Sequence, residues 1–148
     1  MEGLHRIAPE VDMNCLCALG WCLGGHSVLE LGRMQVAGMK AMITFHGVFD
    51  GVPPPEQAAE GSQGSGTEVL ICNGELDPFV DKETQLKNAM ATLESHGHSV
   101  RLLSLEGAKH GYTNPAQDYN PNEAFEFHEA AAQLAWLETL SLLKRTMS

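Results

Sequence analysis

Residues 15–25 constrain this chain more than any other segment. The apolar run Cys15-Leu16-Cys17-Ala18-Leu19 leads directly into Gly20-Trp21-Cys22-Leu23-Gly24-Gly25, and Ser27-Val28-Leu29-Glu30-Leu31 follows. A short apolar run reads as a buried strand, and the segment after it reads as the first turns of a helix. Between them stands a thiol on a turn made of small residues. A side chain at the tip of a sharp strand-to-helix turn is held in strained backbone angles, and glycines two residues before and after it, Gly20 and Gly24, keep the turn free of collisions. The turn pushes the sulfur out of the sheet, over a helix N-terminus that favours a thiolate. Two readings of Cys22 stay open on this segment alone: a nucleophile, or a core cysteine beside a glycine turn.

Two later segments end in the same way. Leu70-Ile71-Cys72-Asn73-Gly74-Glu75-Leu76-Asp77-Pro78 is an apolar run closing on a carboxylate, and Leu102-Leu103-Ser104-Leu105-Glu106-Gly107-Ala108-Lys109-His110-Gly111 is one closing on a histidine. The chain order is therefore thiol, acid, imidazole, each where a strand gives way to a loop or helix. That is the order of the α/β-hydrolase scaffold, and open α/β sheets keep their chemistry beyond the carboxyl ends of their strands. Taken singly, Asp77 before Pro78 also reads as a turn-forming residue, and His110 as a solvated loop histidine.

With these segments stand Thr44-Phe45-His46-Gly47-Val48, Asn73-Gly74-Glu75-Leu76-Asp77-Pro78-Phe79-Val80 and Lys109-His110-Gly111-Tyr112-Thr113-Asn114-Pro115. Together they resemble the dienelactone hydrolase family of α/β-hydrolases, from about Cys15 to the C-terminus. Most α/β-hydrolases carry serine at the turn, so the cysteine makes the resemblance specific. It implies that Cys22 is the nucleophile, that Asp77 orients the imidazole, and that His110 is the general base. It also implies opening of small esters or lactones through a cysteinyl thioester, with Leu23 N–H as one oxyanion-hole donor. Trp21, His46, Phe79 and Tyr112 are the expected pocket residues, and no cofactor is implied. In dienelactone hydrolase proper, an arginine four residues beyond the histidine helps hold a substrate carboxylate. That position is Asn114 here, so the resemblance carries no preference for a carboxylate-bearing lactone.

The rest of the chain reads as alternating strands and helices: a helix over 25–34, a strand over 40–45, a strand over 68–72, a helix over 82–96 closed by Gly97, a strand over 100–105, a loop over 107–122, and a helix over 122–145. This alternation predicts an α/β fold with a parallel sheet of about four strands and flanking helices. Residues 50–67, rich in Pro, Gly, Ser and Gln, read as a surface loop bordering the site rather than a domain linker. Ala130, Leu134, Leu137 and Leu140 recur at helical spacing and read as the core stripe of the last helix. His46 reads as structural though near the site, and His5, His96, His98 and His128 as surface residues.

An α/β-hydrolase carries several strands before its nucleophile turn, whereas here the nucleophile strand comes first. The expectation is a single domain over 1–148 that corresponds to the C-terminal two-thirds of the family domain and lacks the N-terminal strands. The second oxyanion donor and an early acidic residue then fall in the missing part, and the strand at 15–19 becomes an open apolar edge suited to self-association. The alternative to an ester or lactone hydrolase is an inactive hydrolase remnant acting through that edge.

Composition excludes other classes. A formal charge of −10 disfavours nucleic acid and anionic membranes, which require basic patches. No run approaches the roughly eighteen apolar residues of a membrane span. The N-terminal residues lack the apolar stretch of a signal peptide, and the expected location is cytoplasmic. Cys15 and Cys17, two apart on a strand, cannot form an unstrained disulfide. With Cys22 and His26 they lack the usual zinc spacing, so Cys15, Cys17 and Cys72 read as small apolar strand residues in a reducing compartment.

Overall fold

The computed structural model describes residues 10–51 and 66–147. The predicted loop at 50–67 lies largely outside the described residues, as does His5. Four strands, β1 (Leu16–Trp21), β2 (Met39–Phe45), β3 (Glu68–Gly74) and β4 (Ser99–Leu105), form one sheet in the order β1-β2-β3-β4. Every neighbouring pair is parallel. The apolar runs that suggested buried strands are thus the strands of a parallel sheet with helices on both faces.

Helix α1 (Leu23–Arg33) follows β1, and α2 (Lys87–Ser95) joins β3 to β4. Both pack on one face, where Val28, Leu29, Met42, Val69, Ile71 and Leu93 form a core. Helix α3 (Glu129–Thr146) covers the other face over Ala41, Ile43, Phe45, Leu70 and Cys72. With parallel strands, the loops after β1, β2, β3 and β4 all leave from the same rim.

Three expectations about the helices need correction. The predicted helix at 82–96 is two pieces: Lys82–Leu86 is a π-helical turn, marked by Leu86 N–H reaching Asp81 O at 2.9 Å, and only then does α2 begin. The last helix starts at Glu129 rather than Asn122. The intervening segment is drawn out against the His110 loop instead, through His110 N–H to Ala124 O (3.2 Å) and His128 N–H to Tyr112 O (3.0 Å). His128 then caps α3 by accepting from Ala131 N–H, which satisfies a donor left free at the helix start. The core stripe of α3 is also not the predicted one. Ala131, Ala135, Thr139 and Leu142 are buried, while Leu134, Leu137 and Leu140 are exposed. Small side chains let the helix approach the sheet closely, and helical periodicity alone does not say which of two stripes does so.

His96 and His98, expected at the surface, are buried at 6% exposure each. A ring nitrogen of each lies against a helix carbonyl, His96 Nδ1 at Thr92 O (2.7 Å) and His98 Nε2 at Gly32 O (2.9 Å). Acceptors freed at helix ends make such burial tolerable.

Candidate active site

The turn after β1 has the backbone its sequence suggested. Cys22 has φ 53°, a region that non-glycine residues rarely adopt. Its N–H donates to Phe45 O at 3.0 Å, and its carbonyl accepts from Gly25 N–H at 2.9 Å. A Cβ on Gly20 would stand 2.1 Å from Gly24 O, and one on Gly25 would stand 2.9 Å from Gly47 Cα. Gly24, expected to be sterically required, has open space around its Cβ position. The tight glycines are therefore 20 and 25, because the following helix passes close to β1 at Gly20 and close to the β2 turn at Gly25.

Beyond the strand ends the structure brings Cys22, Asp77 and His110 together. His110 Nε2 is 3.2 Å from Cys22 Sγ, and His110 Nδ1 is 2.8 Å from Asp77 Oδ2. Asp77 and His110 are almost fully buried, at 4% and 2% exposure. Asp77 Oδ1 also accepts from Phe79 N–H at 2.9 Å, so the carboxylate is oriented by its own turn. Burial would lower the His110 pKa, but the hydrogen bonds to Asp77 and Cys22, with their charges, more than offset it and the net shift is upward. Phe79 and Phe125 stand edge-on to the imidazole, with ring centres 5.0 and 5.2 Å away. These rings leave the histidine little freedom to turn.

A cavity of about 240 Å³ opens over the sulfur and is lined by Cys22, Val48, Asp50, Phe79, His110 and Phe125. Of the expected pocket residues, Phe79 lines it. Trp21 instead stacks on Phe45, ring centres 4.8 Å apart, and is 44% exposed. His46 and Tyr112 are buried behind the imidazole, where His46 meets His110 at 5.0 Å and Tyr112 meets His46 at 5.4 Å. Val48, Asp50 and Phe125 were not foreseen. Val48 closes the β2 motif and Asp50 lies just beyond it, but nothing local marks Phe125, which pairs with His110 as an isolated bridge. Leu23 opens α1, so its N–H has no acceptor within the helix. Among the described residues, no group of three or more His, Cys, Asp or Glu side chains is placed to hold a metal ion.

His46 is itself a strained residue, with φ 38° at the end of β2. Its Nε2 lies 2.9 Å from Thr113 Oγ1, in the loop that carries His110. Burial, and next the neighbouring His110, push its pKa down to about 4. A neutral ring is what this position requires, since a second cation would oppose a protonated His110.

Two predictions follow from this geometry. Gly20→Ala destabilises the fold by more than the roughly 1 kcal/mol of an average substitution, whereas Gly24→Ala, in helical backbone with free space, leaves stability unchanged or raises it by up to about 1 kcal/mol; chemical denaturation of both variants is the measurement. The second concerns acid. The unfolded chain protonates His46 near the ordinary value of 6.5, but the folded chain does so only near 4. Stability is thus complete above pH 6.5 and declines toward pH 4, by about 3 kcal/mol from this residue. His98, whose pKa burial also lowers, adds with the same sign. His110 has the opposite sign, its contribution being present below its unfolded value and lost as pH rises through its raised folded value. His46→Asn, which tolerates the left-handed backbone, should flatten the melting-temperature profile between pH 7 and 4; an unchanged slope would refute the assignment.

The chain as a whole is similar to several known proteins. A Caenorhabditis elegans protein described as uncharacterized protein K02A2.1 is 26% identical over 153 residues, covering 97% of this chain and 87% of the relative. A solved structure of a dienelactone hydrolase-like promiscuous phosphotriesterase, P91, from metagenomic libraries superposes with a TM-score of 0.80 at 29% identity, over 97% of this chain and 57% of that one. A Bacillus cereus carboxylesterase shares the fold, with a TM-score of 0.62 at 16% identity, over 93% of this chain and 57% of that chain. The chain thus spans a little over half the length of these two solved structures. The sequence profile described as the Dienelactone hydrolase family matches residues 4–147, and the chain belongs to the dienelactone hydrolase family.

Proposed function

We propose that the protein hydrolyses small esters or lactones with Cys22 as nucleophile, His110 as general base and Asp77 as the residue that orients the imidazole. What carries the reading is the continuous relay of 3.2 Å from sulfur to imidazole and 2.8 Å from imidazole to carboxylate. Family membership supports a hydrolase more generally.

In the first half-reaction His110 Nε2 takes the thiol proton and Sγ attacks the carbonyl carbon. Leu23 N–H donates to the oxyanion that forms. The intermediate collapses, the alkoxide leaves with the proton from His110, and a thioester remains. His110 then takes a proton from water. The hydroxide adds to the thioester carbonyl and the carboxylic acid departs from the sulfur, which regains its proton. Throughout, Asp77 holds Nδ1 protonated and balances the imidazolium. The 240 Å³ cavity with aromatic walls at Phe79 and Phe125 suits a small, largely apolar substrate. A reducing cytoplasmic location suits a mechanism that depends on a free thiol.

The reading includes self-association along β1, whose outer edge has no strand partner among the described residues. Exposed Trp21 lies at its end.

One assay tests the catalytic reading. Hydrolysis of p-nitrophenyl acetate should fall to background in Cys22→Ala and drop on the order of 10⁴-fold in Asp77→Asn. Mass spectrometry of a single turnover should find an acyl group on Cys22. Undiminished hydrolysis by Cys22→Ala removes it as nucleophile. A phosphotriester belongs in the same assay, since P91 is described as a promiscuous phosphotriesterase. Sedimentation across a concentration series tests the edge, and a monomer at every concentration rejects it.

A further inference from the structure

A second cavity, larger than the catalytic one, lies on the far side of the Asp77 loop. It encloses about 310 Å³ between β4 and the π-turn that leads into α2. Val80, Leu86, Met90 and Leu102 supply a largely apolar interior, to which Asn73 and Ser104 add polar groups on the strand side. None of the residues lining the catalytic cavity lines this one.

Its mouth has the opposite character. Lys82, Glu83 and Lys87 stand there together. The chain carries only nine lysines and arginines against a formal charge of −10, so two cations at one cavity are a concentration that solvation of an acidic surface does not require. Lys87 pairs with Glu83, whereas Lys82 reaches only a backbone carbonyl, that of Glu75, and has no ion-pair partner among the described residues. The π-turn that carries Lys82 and Glu83 is itself a departure from regular helix of a kind frequent at functional sites.

The cavity also touches the catalytic machinery indirectly. Gly74 and Val80 are both part of its wall. They bracket residues 75–79, the loop that holds Asp77 against His110. An occupant in contact with both ends of that loop bears on the position of the carboxylate.

We infer that this cavity is a binding site for a straight-chain carboxylate of medium length, its alkyl chain between Leu86, Met90 and Leu102 and its carboxylate at Lys82 and Lys87. A largely apolar enclosure whose opening carries two lysines against one glutamate, a net positive charge, matches an amphiphilic anion. It matches neither a fully apolar ligand, which leaves Lys82 unused, nor a polyanion, which leaves the interior empty. The inference does not rest on the catalytic reading, because binding requires neither Cys22 nor turnover.

Calorimetry with sodium octanoate on the full chain tests it. Saturable binding is expected, tighter than hexanoate by about tenfold, as two further buried methylenes imply. Lys82→Glu, a change at the surface, should weaken octanoate at least fivefold and leave octanol unaffected. Leu102→Trp should abolish binding of both; if that variant fails to fold, Met90→Trp serves instead. Binding should survive alkylation of Cys22, and the amide resonances of Leu76 and Phe79 should shift on titration. Absence of saturable binding, affinity indifferent to chain length or to Lys82, or loss of binding on Cys22 alkylation would each overturn the proposal.

Discussion

The structure depends on a single backbone contortion, the turn at Cys22. Its φ of 53° is a conformation that costs on the order of 1–3 kcal/mol and survives only where surroundings over-determine it. Those surroundings are specific. The Cys22 N–H is tied to Phe45 O, so the turn is fastened to the end of β2, and the glycine at 20 lets the helix pass within contact of the strand it has just left. Any wider turn would carry α1 off the sheet and the sulfur away from His110. A second strained residue, His46, ends the neighbouring strand with φ 38°. Adjacent strands of the parallel sheet thus end in left-handed backbone beside the imidazole, and strain concentrates where geometry has to be exact.

Around that turn the histidine is immobilised from several sides. Its Nδ1 faces a buried carboxylate, its Nε2 faces the sulfur, and its faces and edges meet Phe79, Phe125 and His46. The residues responsible come from the loops after all four strands, and the last of these loops does most to fix the ring. The segment 124–128 is held against the His110 loop by backbone hydrogen bonds, which brings Phe125 to the ring and delays the start of α3. The late helix start and the rigid imidazole are one feature. The low pKa of His46 belongs to the same design, for a neutral neighbour lets His110 carry a proton without repulsion.

The sequence made legible whatever is encoded locally. The four strands, their parallel direction and the positions of Cys22, Asp77 and His110 at strand ends all follow from apolar runs closed by glycine turns and from the alternation of strands with helices. What was hidden depends on partners distant in the chain. His98 resembles a solvated histidine until Gly32, from the end of another helix, supplies a carbonyl to its ring nitrogen. Phe125 sits in a stretch with no periodic signal, and only its pairing with His110 gives it a role. The stripe Leu134, Leu137 and Leu140 has better apolar spacing than Ala131, Ala135 and Thr139, but the sheet selects the smaller side chains because they permit a closer approach.

That selection leaves apolar surface at one side of the molecule. Trp21 stacks on Phe45, and Phe45 meets Trp136 at 6.5 Å, so a ladder of three rings runs from the end of β1 to α3 with its outer members 44% and 47% exposed. Cys17 is exposed on the same strand. The sequence of β1 lacks the polar alternation of an edge strand; it is written as an interior strand, apolar toward both faces. The cluster of sulfur, imidazole and carboxylate does not draw on that side, since all three come from loops after β1, β3 and β4. Oxyanion stabilisation, as the proposed mechanism requires it, is different. It calls for a second donor opposite Leu23, and in α/β-hydrolases that donor comes from a loop preceding the nucleophile strand. In the proposed mechanism proton transfer and oxyanion binding are therefore separable: the groups for the first come from the loops after β1, β3 and β4, whereas the second calls for a donor beyond Leu23 N–H.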